Sequence, residues 1–187
     1  MEKKDLNWYL EKGVSRRVAE YYISGRKRLV KVTPYPAYTL ILEYADGERR
    51  IHDCRNLPQA GPVFEFLKDY ENFKRVYVCG LGVVCWDVDP NVDSQVVWEN
   101  QVDMCPDCCY AYSRHIFQPR EDPKNYETVT VHLDPKEYWQ AKELAASYGL
   151  TLEETVNLWL EDFVRAGGFP EGKINYSDDE EETQSDC

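Results

Sequence analysis

The chain has 187 residues, 43% of them apolar, with 14 Tyr and 5 Trp, enough for one medium domain or two small ones with a real core. A formal net charge of -12 opposes general affinity for nucleic acid and for anionic membranes. No apolar run approaches the roughly 18 residues of a membrane span, "MEKKDLNWYLEKG" lacks a signal-peptide core, and seven cysteines form no compact disulfide framework; a cytoplasmic protein with free thiols is expected. The charge is uneven: residues 1–32 carry nine Lys/Arg against four acids, and residues 171–187 carry seven acids against one Lys.

The first element in chain order is "VSRRVAEYYIS", a short amphipathic helix closing a basic N-terminal segment, 1–26, with Val14, Val18, Tyr21 and Tyr22 on its apolar face. A small α+β domain is expected over 27–117. In it "RLVKVTP", "YTLILEY" and "RRIHDC" read as strands. Asp46-Gly47 is the tight-turn signal joining the second to the third, and Leu40, Leu42 and Tyr44 share a face. "GPVFEFLKDYENF" predicts a short helix packed through Val63, Phe64 and Leu67. "RVYVCG" and "VVCWDVDP" are two more strands around Gly80 and Gly82. Strands, helix, strands describe a small antiparallel α+β unit rather than a parallel nucleotide-binding sheet. Residues 118–126, polar and with two prolines, are a linker, and 170–187 form an acidic tail expected to be disordered.

Residues 127–169 have a different grammar. In "TVTVHLD", Val129, Val131 and Leu133 alternate with Thr128, Thr130 and His132, so a period of two separates an apolar from a polar face. Asp134 is a good N-cap, Pro135 suits the first helical position, and Gly149 stops the helix near Tyr148. Thr151 and Glu154 make a capping-box pattern for a second helix carrying Leu152, Val156, Trp159, Leu160 and Phe163 up to Gly167-Gly168. One strand and two helices cannot bury enough surface alone. Two copies can, with strands paired antiparallel over four interlocked helices. Val129, Val131, Leu133, Val156, Trp159, Leu160 and Phe163 would then form the core of a homodimer.

This stretch resembles the ribbon-helix-helix module of RelB/DinJ-type antitoxins. The resemblance implies that Thr128, Thr130 and His132 face DNA from the ribbon and that Thr151 and Leu152, at the amide end of the second helix, contact phosphate. Residues 128–168 depart from such readers by carrying seven acids against three bases. Upstream, the order of Asp46-Gly47, Leu67-Lys68-Asp69, Phe73 to Val76 and Trp86 resembles the bacterial family named domain of unknown function 2442. It implies a small α+β fold and no established activity.

Chemistry-bearing residues are few. In "MCPDCCYAYS", Cys105, Cys108 and Cys109 include a Cys-x-x-Cys, half of a zinc site, or a redox pair where it opens a helix after a strand. A second Cys/His pair is missing, and no thioredoxin-like β-α-β pattern surrounds it, so packed structural thiols are expected. Cys79 and Cys85 read as small core residues. Asp87, Asp89, Asn91 and Asp93 lack the glycine and terminal Glu of a calcium loop and read as turn formers; His52-Asp53 reads as a strand-end polar cluster. No cofactor, no metal and no enzymatic activity are expected. The expected function is that of an antitoxin-like or autoregulatory dimer, binding DNA weakly or a toxin-like basic protein partner. The alternative is an interaction protein without DNA affinity, or an acidic inhibitor that blocks the nucleic-acid groove of a mobile-element or host protein.

Overall fold

The computed structural model describes residues 4–116 and 127–168, so the expected linker and acidic tail lie outside the described residues. Alternation along β2 (Thr39–Tyr44) organises everything else: Leu40, Leu42 and Tyr44 are buried on one face, as expected, and Ile41 is buried on the other. A strand buried on both faces belongs in the middle of a sheet with layers above and below. It pairs antiparallel with β1 (Leu29–Tyr35) and β3 (Arg49–Asp53), and β3 pairs with the two-residue β7 (Arg114–His115), giving the order β1-β2-β3-β7. The β2–β3 turn is the Asp46-Gly47 one, with Gly47 at φ +85° and the Asp46 carboxylate accepting from the Glu48 amide at 3.1 Å.

A second antiparallel sheet, β4-β5-β6, is built from Tyr77–Val78, Val84–Asp87 and Gln101–Met104. Its central strand buries Val84, Cys85 and Trp86, and the Trp86 indole donates to the Phe73 carbonyl at 2.9 Å. Leu67, Phe73 and Trp86 join Leu40, Leu42 and Tyr44 in the main core. The single helix expected over 61–73 is instead a 3-10 stretch, Pro62–Lys68, followed by one turn, α3 (Tyr70–Phe73). Asp69, extended at ψ 115°, interrupts the two because its carboxylate caps the Glu71 amide. Val63 consequently points outward, while Leu67 is buried.

At the N-terminus a short α1 (Leu6–Glu11) precedes α2 (Arg16–Ser24), whose Val18 and Tyr21 are buried as expected. Helix α2 rests on α4 (Pro106–Ala111), where the Tyr21 and Tyr110 rings stack at 4.1 Å. Beneath them Glu48 is enclosed by Lys27, Arg50 (2.6 Å), the Tyr110 hydroxyl (3.0 Å) and His115 (3.3 Å). Burial pushes the Glu48 carboxyl up, but the hydrogen bonds from Lys27, Arg50 and Tyr110 outweigh it and hold it below the usual carboxylate range.

Two local features predict measurable effects. Gly82, at φ +76°, lies under β1, where a Cβ would sit 3.3 Å from the Leu29 carbonyl oxygen. Gly82→Ala is expected to cost about 1–2 kcal/mol, read as a lower urea midpoint. His52 faces the main core beside Leu40, with its Nδ1 buried and without a partner among the described residues, and burial depresses its pKa against a weaker opposing pull from Asp53. The unfolded chain takes up a proton near the ordinary value of 6.5 that the folded chain refuses, so stability is present above that pH and lost as pH falls below it. Urea midpoints should therefore drop between pH 7.5 and 5.5, and His52→Leu should flatten that dependence.

The remaining helices, α5 (Pro135–Ser147) and α6 (Leu152–Ala166), cover the Ile41 face of the first sheet. Among the described residues no helix is long and apolar enough to cross a membrane.

Candidate dimerisation surface

Residues 127–134 form neither helix nor strand, and among the described residues no strand pairs with them. Every one of the eight is exposed, Thr128, Thr130 and His132 included. The apolar members are bare as well, Val129 at 73%, Val131 at 56% and Leu133 at 43% exposure. The expected strand over 128–133 is therefore not formed, and its alternating Val/Leu row is an apolar patch left open to water.

The helices that follow obey their local signals. Asp134 caps α5 by accepting from the Lys136 amide at 2.8 Å, and Gly149 ends it at φ +69°. Thr151 and Glu154 close the capping box on α6 reciprocally, at 3.1 and 2.8 Å, and Gly167 terminates it in the left-handed conformation. The Thr151 amide, which the resemblance would give to a phosphate, is therefore already bonded to a carboxylate. Glu153 and Glu154 also occupy the first turn beside Leu152.

Their packing was not anticipated. Ala145, Leu150 and Leu158 are buried against Ile41, Ile51 and Ile116 of the same chain, and Tyr148 meets Tyr35 edge-on at 5.0 Å. Arg49 of β3 locks the docking: it donates to Glu154 at 2.6 Å and to the Gly149 carbonyl. Both side chains are largely buried, at 17% and 8% exposure. Arg114 of β7 adds Glu161 at 3.0 Å and Asp162 at 2.8 Å.

This docking uses one stripe of α6, Glu154, Leu158, Glu161 and Asp162. The expected dimer-core residues lie on other faces. Leu160 and Trp159 are exposed, Val156 and Phe163 are half-buried, and the Trp159 and Phe163 rings stack at 6.0 Å. Next to Leu160, Val164 is exposed as well, and a shallow groove of about 360 Å³ runs past Asn157, Leu160 and Val164. On α5, Trp139 and Leu144 also face solvent. The continuous apolar run in "TLILEY" was the signal that something had to cover the second face of β2.

The cysteine group separates into different environments. Cys109 is buried in the main core near Cys54, and burial raises both thiols, Cys109 to about 12. Cys105 is exposed at the N-cap of α4, and Cys108 is half-buried one turn later, so only Cys109 is the packed thiol expected of all three. Among the described residues no group of three His, Cys, Asp or Glu is placed to hold a metal ion. Cys85 is a buried core residue, whereas Cys79 lies just past β4 and is half-exposed. Asp89 and Asp93 bond the amides of Asn91 and Gln95 as turn formers do.

Comparison with curated proteins and with solved structures returned no match. A comparison with family models did return one. From the start of β1 to the end of β7, residues 29–115 match the family described as Protein of unknown function (DUF2442), so the α+β part of this chain is similar to that family's domain.

Proposed function

We propose that this protein is an antitoxin-like regulator that acts as a homodimer and engages a basic protein partner. The reading rests on the bare row of Val129, Val131 and Leu133, which has no ladder partner among the described residues of its own chain. A second copy supplies the missing strand, and the α6 residues outside the docked stripe, Val156 and Leu160 among them, supply the floor under the ribbon. The dimer would present two acidic flanks, and the net charge of -12 suits a basic partner through electrostatic complementarity.

DNA contact through Thr128, Thr130 and His132 is the weaker arm of this proposal. Seven acids against three bases over 128–168, and a Thr151 amide already engaged, leave little for phosphate. A reading in which DNA plays no part, an acidic inhibitor seated in the nucleic-acid groove of another protein, draws on the same charge.

Light scattering of the purified chain tests the dimer, with a mass of twice 21.9 kDa expected. A single-chain mass at high concentration removes the proposal. Native pull-downs and low-salt gel shifts then separate the partner classes: a small basic protein supports the regulator, and capture of a nucleic-acid enzyme with loss of its activity supports the inhibitor.

A further inference from the structure

We propose that Cys105 and Cys108 form a reversible dithiol–disulfide site whose oxidant is a small-molecule disulfide of the glutathione class. The pair opens α4 directly after β6, with Cys105 as the N-cap, Pro106 at the first helical position and Cys108 two residues beyond. Residues three apart on a first turn face the same side, and Pro106 fixes the backbone between them. The two thiols interact directly, and both are reachable from solvent, Cys105 fully and Cys108 in part.

The two sulfurs divide the work. Burial first, then the neighbouring Cys105 thiol, push the Cys108 thiol up to about 11. Cys108 is partly enclosed and burial disfavours its ionisation, so the first attack falls to Cys105, the thiol open to solvent. The Cys105 thiolate attacks one sulfur of the oxidant RSSR, forming Cys105–S–S–R and expelling RS⁻, which takes up the proton Cys105 lost. Cys108 then gives up its proton and displaces the second RS⁻, which leaves as RSH. In sum, two protein thiols and RSSR become one protein disulfide and two RSH. Asp107, between the cysteines, accepts from the Tyr22 hydroxyl at 3.0 Å and pairs with Arg26 at 3.1 Å, so the site lies on the contact that holds α2 to α4.

The competing pair does not suit this chemistry. For Cys79, burial pushes the thiol up, but the Leu81 and Val83 backbone and the Cys85 thiol outweigh it and lower the pKa. Cys85 faces Tyr77 across the β4–β5 hairpin, so Cys79 and Cys85 stand diagonally. Diagonal Cα atoms are about 7–8 Å apart, beyond the roughly 4.4–6.8 Å of a disulfide. The Cys79 and Cys85 thiols do meet, so the test removes Cys79 and keeps its chemistry apart from that of Cys105.

Full-length protein carrying Cys79→Ser and Cys187→Ser is equilibrated with reduced and oxidised glutathione, quenched in acid, alkylated and peptide-mapped. A Cys105–Cys108 link is expected, reversed by excess reduced glutathione. Adding Cys108→Ser should trap one glutathione on Cys105. Adding Cys105→Ser, a residue well suited to an N-cap, should leave Cys108 unmodified over the same interval. Alkylation of the reduced protein should proceed about tenfold or more faster at Cys105 than at Cys108. Separate glutathiones on both residues without a link, or Cys108 reacting first, overturns the proposal. Circular dichroism of each variant establishes that the fold is intact before its chemistry is read.

Discussion

Val131→Asp is expected to turn a dimer of twice 21.9 kDa into a single chain. Val131 is the middle of the exposed row Val129, Val131, Leu133, so it would be central in a ribbon formed by two copies. Burying a valine side chain contributes about 1.5 kcal/mol or more, and in a two-fold interface each substitution acts twice. About 3 kcal/mol, a weakening of more than a hundredfold in Kd, is the smallest effect consistent with the proposal. Burial of an unpaired carboxylate adds to it. Light scattering over a concentration series measures the shift. Thr130→Asp, on the opposite side of the ribbon, serves as the control and should leave the mass unchanged. Equal mass for wild type and Val131→Asp at every concentration would remove this row from the interface.

Arg49→Met should destabilise the folded chain by about 3–5 kcal/mol, because it strands the buried Glu154 carboxylate without its cation. The Gly149 carbonyl at the end of α5 loses its donor in the same step. Glu154 keeps its capping bond to the Thr151 amide, so the helix start survives and the damage falls on the docking of α5 and α6. Urea unfolding monitored by tryptophan fluorescence reads the loss as a lower midpoint. The double variant Arg49→Met/Glu154→Gln should recover part of it, since a neutral amide is far cheaper to leave unpaired than a charge. A double variant no more stable than the single one would mean that the ion pair does not hold the helices to the sheet.

The features that were legible in the sequence are the ones with short range. The Asp46-Gly47 turn, the Asp134 cap, the Thr151–Glu154 capping box and the glycine stops at Gly149 and Gly167 each involve atoms within a few residues, so backbone geometry alone dictates them. The face shared by Leu40, Leu42 and Tyr44 follows from the period of a strand. Strand β6 and helix α4 escaped because "QVDM" and "PDCCYA" are too short to show a period. That is why the Cys-x-x-Cys read as packed thiols, although it opens a helix after a strand.

What the sequence determined by itself is the turns, caps and glycine stops, together with the alternating pattern of 128–133, which forms no strand within its own chain among the described residues. Only the tertiary structure decided that α5 and α6 lie on the Ile41 face of the first sheet, that Glu154 answers Arg49 across 105 positions, and that Leu158 rather than Val156 or Leu160 is the residue this docking buries. Helix α6 has more than one apolar stripe, and periodicity tells that each wants cover without telling which neighbour supplies it. That choice depends on the summed burial and ion pairing of residues far apart in the chain, which no local pattern encodes.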